Sequence, residues 1–281
     1  MAVIIPDFVF FRKNENQIMH RNIESIITPS IDLVKEVGQF IKAEAKQFDR
    51  SMIEFKGLND LVSYVDKEAE KQLVKGLKKL LPGSGFITEE GTVQQSEEEY
   101  IWIIDPLDGT TNFAHGIPVY SISVALQFRS KLIFGVVYEV NKDECFWSSG
   151  DGAYCNSSPI YVSDQPELSG SIIATGFPYH NFENLDGYMN ILIDLMQHSH
   201  GTRRFGSAAV DLAYVACGRF EAFFEYNLNP WDVAAGAYIV ENAGGKVTDF
   251  SGGNDFIHGR HIVAANNTHG ALLQIIQNNW I

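Results

Sequence analysis

The first third of the chain alternates polar residues with apolar ones at the i, i+3, i+4 spacing of amphipathic helices. A first helix is predicted to begin at Thr28-Pro29-Ser30, because a capping hydroxyl followed by proline is typical of a helix start. A second helix is predicted from about Val65 to Leu81, where Pro82-Gly83 ends it. Residues 54–60, between the two helices, are predicted to form a loop.

Short apolar runs separated by polar turns follow these helices and predict strands. Two runs, 86–88 and 100–104, end in acidic residues, which are Glu89-Glu90 and Asp105 respectively. The next runs, 120–128, 132–139 and 145–147, predict an antiparallel meander, and one more strand is predicted at 171–175. After residue 187 helices and strands alternate: 188–198, a helix after Ser207, 222–225, a helix after Trp231, and 246–249. This alternation predicts an α/β half.

The length of 281 residues and the 45% hydrophobic content allow one large core or two smaller ones. We predict a mixed α+β and α/β fold in three parts. Residues 1–22 differ in pattern and form an N-terminal extension, residues 23–185 form an α+β part with the antiparallel sheet, and residues 186–281 form an α/β part. No stretch has the ~20 apolar residues that a membrane span needs, so no membrane partner is expected.

The charge balance limits the possible partners. Lys and Arg number 21 against 35 Asp and Glu, so the net charge is −14 and a nucleic-acid partner is not expected. An anionic small substrate is repelled as well, unless the site recruits cations of its own. The three cysteines, Cys145, Cys155 and Cys217, show no metal-binding spacing and no disulfide framework. They predict a reducing, cytoplasmic location.

The segment Asp105-Pro106-Leu107-Asp108-Gly109-Thr110-Thr111-Asn112 carries the richest chemistry. Proline keeps the residue before it extended, Gly109 permits a turn, and Thr110 or Thr111 can cap a following helix. Two carboxylates three residues apart on such a turn can converge on one point, and carboxylates without His or Cys favour Mg²⁺ or Mn²⁺. The amides of Gly109 and Thr110 at a helix N-terminus can bind phosphate.

Each acidic feature also has a purely structural interpretation. An Asp-Gly turn is common in proteins. The pair Glu89-Glu90 can be a solvated surface, and Asp232 after Trp231 can be an N-terminal cap of a buried helix. Alternatively, Glu89 and Asp105 each follow a strand, so they can be neighbours in one sheet. Spacing alone does not decide between these interpretations.

Several segments together resemble the inositol monophosphatase family. They are 86–90 (FITEE), 102–113 (WIIDPLDGTTNF), 231–236 (WDVAAG), 59–66 (NDLVSYVD), 176–178 (GFP) and 241–245 (ENAGG). The resemblance extends from about Ile23 to the C-terminus. It implies a layered α-β-α-β-α sandwich, a homodimer, and lithium-sensitive hydrolysis of a phosphate monoester of a small polyol or sugar.

The resemblance also implies two to three Mg²⁺ ions per site, with Mn²⁺ as a substitute. Carried over by position, the ligands of the first metal are Glu89, Asp105 and the carbonyl of Leu107, and those of the second are Asp105, Asp108 and Asp232. Two such ions stabilise the attacking and leaving oxygens of an in-line displacement. The nucleophile is then a metal-activated water, polarised by Glu89 and Thr110, with Asp66 holding Thr110 in place.

Substrate contacts follow from the same resemblance. The phosphate is expected on the amides of Asp108, Gly109 and Thr110, and a water near Asp232 protonates the leaving group. The polyol is expected against Gly206, Ser207, the backbone of Ala208, and Glu225, although Glu225 can equally be a solvated acid at a strand end. The pair Arg203-Arg204 lies either at the edge of the site or in a dimer contact.

The sequence favours inositol 1-phosphate, because Thr111-Asn112 after Asp-Gly-Thr resembles the inositol phosphatase branch. Three other substrates stay open within the superfamily: fructose-1,6-bisphosphate, histidinol phosphate and 3′-phosphoadenosine 5′-phosphate. A different class of function is open too, since some bacterial relatives are binding partners of the transcription machinery. A pure scaffold has no physical need for a complete set of metal ligands, so the enzyme interpretation is preferred.

Overall fold

A computed structural model describes the backbone of residues 7–49, 51, 53–57, 60–95, 98–177 and 182–280. It also describes the side chains of these residues, except those of 7–23, 55–57 and 60–61. The described helices are α1 Asp7–Glu44, α2 Tyr64–Leu80, α3 Thr110–His115, α4 Leu185–His198, α5 Ala208–Ala216, α6 Pro230–Asn242 and α7 His269–Asn279. The first strands are β1 Glu54–Gly57, β2 Asp60–Val62, β3 Gly85–Thr88, β4 Tyr100–Asp108, β5 Ser121–Phe128, β6 Lys131–Glu139 and β7 Glu144–Ser148. The others are β8 Ala153–Cys155, β9 Ser158–Ile160, β10 Ile172–Thr175, β11 Gly201–Arg203, β12 Ala222–Tyr226, β13 Lys246–Thr248 and β14 His261–Ala265.

Two large sheets organise the molecule. The seven-stranded sheet has the order β3-β4-β5-β6-β7-β8-β9, in which β3 and β4 are parallel and the later neighbours antiparallel. The five-stranded sheet has the order β11-β10-β12-β14-β13, with β10 parallel to both of its neighbours. A separate antiparallel pair joins β1 to β2.

Alternate residues of the strands face different cores, which identifies the layers. On β4, Trp102 packs with α1 and α2, whereas the next residue, Ile103, packs with α5 and α6. On β12, Phe223 packs with α5 and α6, whereas Phe224 packs with α4 and α7. The order is therefore α1/α2, seven-stranded sheet, α5/α6, five-stranded sheet, α4/α7, which confirms the predicted α-β-α-β-α sandwich.

The central layer explains the composition of its helices. All nine residues of α5 are buried, because this helix lies between two sheets and has no solvent face. Glycine at position 236 of α6 allows the side chain of Leu212 to approach the helix backbone, and a Cβ there would overlap it. These two helices thus have little freedom to shift, and their N-terminal ends are fixed relative to both sheets.

Two sequence-based boundaries were wrong at the N-terminal side. The first helix does not begin at Thr28-Pro29-Ser30, because α1 contains Pro29 and continues through it. A proline removes one backbone donor, but Ile26 before it and Val34 after it belong to the same core and hold the helix together. The predicted loop 54–60 contains the paired strands β1 and β2, while residues 58 and 59 lie outside the described residues.

Other elements were predicted well or not at all. Helix α2, the meander β5–β7, and the elements α4, α5, β12, α6 and β13 agree with the hydrophobic pattern. The short strands β8, β9, β11 and β14 and the helix α7 were not predicted. The division of the chain at residue 185 stays a prediction; the strand before it, β10, is hydrogen-bonded within the five-stranded sheet. Within the described residues no helix is long and apolar enough to cross a membrane.

Candidate active site

A bulge in β4 brings two carboxylates to one side of the seven-stranded sheet. Asp105 pairs with Ser123 and Asp108 pairs with Ser121, so three residues on β4 match two on β5. Residues three apart in a regular strand point to opposite faces, and the extra residue of the bulge cancels that difference. Pro106 lies inside the bulge, where its missing N–H is tolerated. The strand therefore does not end at Asp105, as the sequence predicted, but continues to Asp108.

Glu89 comes next to Asp105 through the parallel pair β3 and β4. Thr88 is paired with Ile104, and the Glu89 N–H donates to the Ile104 carbonyl at 3.3 Å. The next residue on each strand is an acid, so Glu89 and Asp105 lie side by side at the same sheet edge. This pairing confirms the prediction that the two strand-end acids are neighbours.

Asp105 is the most crowded of these carboxylates. Its side chain is buried, and Oδ1 accepts from the Leu107 N–H at 2.9 Å. Burial raises the pKa of Asp105 well above its usual range, and the charges of Glu89, Asp108 and Asp232 raise it further. Four carboxyl groups from three separate segments of the chain thus lie within electrostatic range of one another.

Asp108 joins the bulge to the start of α5. Its Oδ2 accepts from the Ser207 hydroxyl and from the Ala209 N–H, both at 2.7 Å. Burial raises the pKa of Asp108 to about 6, and these hydrogen bonds act in the opposite direction. A carboxylate at a helix N-terminus is favoured by the helix dipole. The contacts therefore place α5 and its first residues directly against the acidic turn.

Asp232 reaches the same region from the start of α6. Its Oδ2 accepts from the Asn229 N–H at 2.7 Å, which fixes the first turn of the helix. The Ser123 hydroxyl donates to the Trp231 carbonyl at 3.0 Å, so the start of α6 lies opposite the strand position of Asp105. Burial raises the pKa of Asp232 to about 7, and the charge of Asp108 contributes to that rise.

Thr110 and Asp66 are joined by a direct hydrogen bond. The Thr110 hydroxyl lies 2.9 Å from Asp66 Oδ1 and 3.0 Å from the Leu107 carbonyl oxygen. Thr110 is the first residue of α3 and not its cap; the cap is Gly109, whose φ of 98° lies in the left-handed region that glycine adopts without strain. Asp66 also accepts from Ser63, and burial raises its pKa.

The donors match the chemistry of a hard divalent cation. Four carboxylates and the Leu107 carbonyl supply oxygen only, which Mg²⁺ prefers, and no His or Cys side chain is among them. In the part of the chain that the structure describes, no group of three or more His, Cys, Asp or Glu side chains is arranged to hold a metal ion as it stands. The residues fit such a cation for two reasons. All of them are oxygen donors, and a positive charge among them would offset the burial and the repulsion that raise the pKa of Asp105.

The polyol side of the predicted site is built on β12 and the start of α5. Glu225 is 7% exposed, and burial raises its pKa well above the usual range, with the charge of Asp232 adding to the effect. A Cβ on Gly176 would overlap the Glu225 carboxyl, so glycine there leaves room for that side chain. Ser207 Oγ lies 3.2 Å from Ser121 Oγ, which ties this side to β5. Glu225 is thus not a solvated acid.

The loop before α5 is held against α3. The Asn112 side-chain amide donates to the carbonyls of Val119 and Phe205, at 2.8 and 2.7 Å. Gly206 adopts a φ of 84° in this loop, and Arg204 Nη1 occupies the space that a Cβ on Gly206 would need. Gly206, Ser207 and Ala208 therefore lie beside the acidic turn, where the sequence-based assignment put them.

The sequence profile of the inositol monophosphatase family matches residues 22–280. The chain belongs to the inositol monophosphatase family. Among curated relatives, a protein of Pseudomonas aeruginosa named Nus factor SuhB is 38% identical over 262 residues, which cover 91% of this chain and 97% of that protein. An inositol-1-monophosphatase of Mesorhizobium japonicum is 35% identical over 256 residues, covering 90% and 96% of the two chains.

A solved structure supports the same membership. The inositol monophosphatase of Thermotoga maritima superimposes with a TM-score of 0.81 at 33% identity, covering 89% of this chain and 95% of that one. Relatives in this inositol monophosphatase family thus bear two kinds of name, one enzymatic and one of a Nus factor.

Three residues of this family member were not found as site residues from the sequence. Asp211 is the one charged residue of α5, and its Oδ1 is buried without a hydrogen-bond partner. Arg204, which the sequence left between two roles, lies 5.7 Å from the Phe177 ring centre, and its charge lowers the pKa of Asp108, Asp211 and Glu225 against the effect of burial. Glu70 is buried on α2. A charged residue on an otherwise apolar helix face was the available signal for Asp211 and Glu70.

Proposed function

We propose that this chain is a Mg²⁺-dependent phosphatase of small phosphorylated polyols or sugars, with inositol 1-phosphate as the preferred substrate. The observation that carries the proposal is the convergence of Glu89, Asp105, Asp108 and Asp232, which burial and mutual repulsion make costly without cations. Membership of the inositol monophosphatase family supports the same chemistry. The cations, and not a basic surface, resolve the repulsion between an anionic substrate and a chain of net charge −14.

Glu89, Asp105, Asp108, Asp232 and the Leu107 carbonyl would hold two to three Mg²⁺ ions, or Mn²⁺ in their place. The bound cations supply attraction for the phosphate and stabilise charge on the oxygens that react. Glu89 and Thr110 would polarise the attacking water. A hydroxyl has one proton and two lone pairs, so donation from Thr110 to Asp66 leaves the Thr110 oxygen able to accept a hydrogen bond from that water.

The remaining residues would bind and orient the substrate. The amides of Asp108, Gly109 and Thr110 would receive the phosphate oxygens, and Asp232 would hold the water that protonates the leaving alkoxide. Glu225 would accept hydrogen bonds from the polyol hydroxyls, next to Gly206, Ser207 and the backbone of Ala208. The buried position of Glu225 against Gly176 supports this role, because a fixed acceptor distinguishes polyols from plain phosphate esters.

The test is phosphate release from four substrates with Mg²⁺, in the presence and absence of millimolar Li⁺. They are inositol 1-phosphate, fructose-1,6-bisphosphate, histidinol phosphate and 3′-phosphoadenosine 5′-phosphate. Lithium-sensitive release that is fastest with inositol 1-phosphate is expected. A different leading substrate would change the substrate assignment and keep the chemistry, whereas no release from any of them would refute the proposed activity.

A second candidate function rests on the relatives named Nus factor SuhB. Under it the chain binds a protein of the transcription machinery, and the acidic surface favours a basic partner over nucleic acid. Binding to purified RNA polymerase and antitermination factors, tested for the wild type and for Asp105→Asn, separates the two functions. Binding that survives the loss of hydrolysis would show that the surface acts independently of the acidic site.

The family resemblance also supports a homodimer and a cytoplasmic location. Cys145, Cys155 and Cys217 carry free thiols in the described structure, which accords with a reducing compartment. Light scattering of the purified chain tests the dimer directly, and a mass of one protomer of 31.4 kDa would refute it.

A further inference from the structure

Helix α2 carries two buried carboxylates one turn apart. Asp66 and Glu70 are both 0% exposed, and residues four apart lie on the same face of a helix. Their neighbours Ala69 and Leu73 pack into the apolar core beneath the seven-stranded sheet. Burial of two charges on such a face is unfavourable unless each is fully hydrogen-bonded. Asp66 has its partners in Ser63 and Thr110, as described above.

Glu70 has its partners in the segment that follows β3. Its Oε2 accepts from the Glu90 N–H at 2.7 Å, and its Oε1 accepts from both the Thr92 N–H at 2.7 Å and the Thr92 hydroxyl at 2.6 Å. Three donors thus converge on one carboxylate from a chain segment twenty residues away in sequence. Hydrogen bonds to an ionised acceptor are short and strong.

The segment held by Glu70 begins immediately after Glu89. The Glu89 N–H is bound to Ile104 on one side, and the next N–H, of Glu90, is bound to Glu70 on the other. The backbone on both sides of the Glu89 Cα is therefore fixed. Glu89 and Thr110 are the two residues proposed to polarise the attacking water. Helix α2 holds both of them, because Asp66 binds Thr110 and Glu70 binds the segment that follows Glu89.

We propose that Glu70 is a positioning residue for the cation site: by holding the Glu90–Thr92 backbone it fixes the direction in which Glu89 presents its carboxylate. The inference rests on the proposed function, because it assigns Glu89 as a cation ligand. Partners that orient a ligand contribute about 10–100-fold to metal affinity or activity. Both carboxylate oxygens of Glu70 accept hydrogen bonds from Glu90 and Thr92, so the proposed effect acts through the segment that carries Glu89.

The experiment measures Mg²⁺ binding to the full chain without substrate, by titration calorimetry, for Glu70→Gln. Glutamine keeps the size of the side chain, but its amide NH₂ faces backbone N–H groups and cannot accept from them. We expect Mg²⁺ affinity about 10–100-fold weaker, and half-maximal turnover at correspondingly higher Mg²⁺. The KM for the phosphate substrate at saturating Mg²⁺ should stay unchanged, which a general loss of structure would not allow.

Glu68→Gln is the matched control. Glu68 is exposed on the same helix, and its side chain accepts a hydrogen bond from the Gln72 amide at 3.5 Å. The control removes the same charge without touching the Glu89 segment, so its Mg²⁺ affinity should equal that of the wild type. An equal loss in Glu68→Gln would overturn the inference, since the effect would then be one of helix charge.

Thr92→Val provides a second, milder variant if Glu70→Gln does not fold. It removes the hydroxyl bond to Glu70 and keeps the N–H bond, so about 5-fold weaker Mg²⁺ binding is expected. If Glu70→Gln folds and binds Mg²⁺ with wild-type affinity, the inference is overturned and the proposed function is kept. If Glu70→Gln does not fold, wild-type affinity in Thr92→Val has the same consequence. A wild-type chain that binds no Mg²⁺ overturns the proposed function along with it.

Discussion

Asp66, the third residue of α2, and Asp211, the fourth residue of α5, have different surroundings. Each lies in the first turn of its helix and is buried, at 0% and 1% exposure. Asp66 accepts three hydrogen bonds, two from Ser63 and one from Thr110. The Oδ1 of Asp211 is buried without a partner, and its neighbours of like charge are Glu225 and Asp108.

The difference shows that donors, and not burial alone, determine which form of a carboxyl group is stable. Burial raises the pKa of both residues, but hydrogen bonds from Ser63 and Thr110 oppose that rise at Asp66. At Asp211 burial acts first and the charges of Glu225 and Asp108 add to it, with Arg204 as the opposing cation. On the α2 side of the site, hydrogen-bond donors thus offset part of the cost of burying a carboxylate, whereas on the α5 side burial and like charges both disfavour the ionised form of Asp211.

The largest effect is expected at Asp105, where the α2 side and the α5 side of the site meet. Asp105→Asn removes the charge that both proposed cations share while its carbonyl can still accept from the Leu107 N–H. Turnover of inositol 1-phosphate should fall by at least about 100-fold, since even indirect partners of a metal contribute that much. The metal-free variant should unfold at a higher temperature than the wild type, because repulsion with Glu89, Asp108 and Asp232 is relieved.

Asp151→Asn is the control for that substitution, because Asp151 is exposed in a turn between β7 and β8. Its turnover and unfolding temperature should match those of the wild type. Substantial Mg²⁺-dependent turnover in Asp105→Asn would contradict the assignment of the shared ligand. A lower unfolding temperature would contradict the repulsion argument.

A smaller and more selective effect is expected on the α5 side, at Gly176. In Gly176→Ala the new methyl group overlaps the Glu225 carboxyl and displaces it. The KM for inositol 1-phosphate should rise by about 10-fold, the loss of one hydrogen bond to a charged group. The KM for p-nitrophenyl phosphate, which has no hydroxyl groups for Glu225 to bind, should change far less. Steady-state kinetics with both substrates measures the difference.

Gly270→Ala is the matched control, because its Cβ would meet no atom within 4 Å and its backbone is helical. Equal changes for both substrates in Gly176→Ala would show that the substitution disturbs the site as a whole. The polyol role of Glu225 would then lose its support.

The α2 side was the more predictable of the two from sequence. The positions of Glu89 and Asp105 directly after apolar runs were visible in the sequence, and parallel pairing of β3 with β4 makes the two residues neighbours. The bulge at Pro106 could not be predicted, because it is defined by the register of β4 against β5. The continuation of α1 through Pro29 was likewise decided by packing on both sides of it.

The α5 side could be predicted only through its resemblance to a family. Strand β14, which pairs with β12 beside Glu225, was not predicted, so the surroundings of Glu225 were not visible in the sequence. The contact between Gly176 and Glu225 joins residues far apart in the chain. Sequence patterns report local structure, whereas this side of the site consists almost entirely of non-local contacts.

The contribution of Mg²⁺ to stability should grow with pH. Burial raises the pKa of Asp108 to about 6 and of Asp232 to about 7, from 3.8. Between about pH 4 and 7 the metal-free folded chain therefore binds more protons than the unfolded chain, and these groups make it less stable as pH rises. Mg²⁺ competes with those protons, so the increase in unfolding temperature on adding Mg²⁺ should be small at pH 5 and larger at pH 7 and above.

Thermal unfolding at each pH, with Mg²⁺ and with a chelator, gives this difference directly. His269, whose pKa burial lowers to about 4, has the opposite effect on stability below pH 6.5. It contributes equally with and without Mg²⁺, so it cancels in the difference. An increase that is constant from pH 5 to pH 8 would show that the acidic residues are not protonated in the metal-free chain.

The smallest effect is expected at Asp211, and it tests the contrast between Asp66 and Asp211 most directly. Burial and the charges of Glu225 and Asp108 raise the pKa of Asp211 and disfavour its ionised form in the metal-free protein. Asp211→Asn introduces a neutral amide of the same shape, so the free energy of unfolding should change by less than about 0.5 kcal/mol. Asp66→Asn should lower it by about 1–3 kcal/mol, because one amide oxygen cannot accept from Ser63 and Thr110 together and the NH₂ group faces a donor. Urea unfolding of both variants in a chelator measures the pair. Equal losses would mean that the hydrogen bonds of Asp66 do not distinguish it from Asp211.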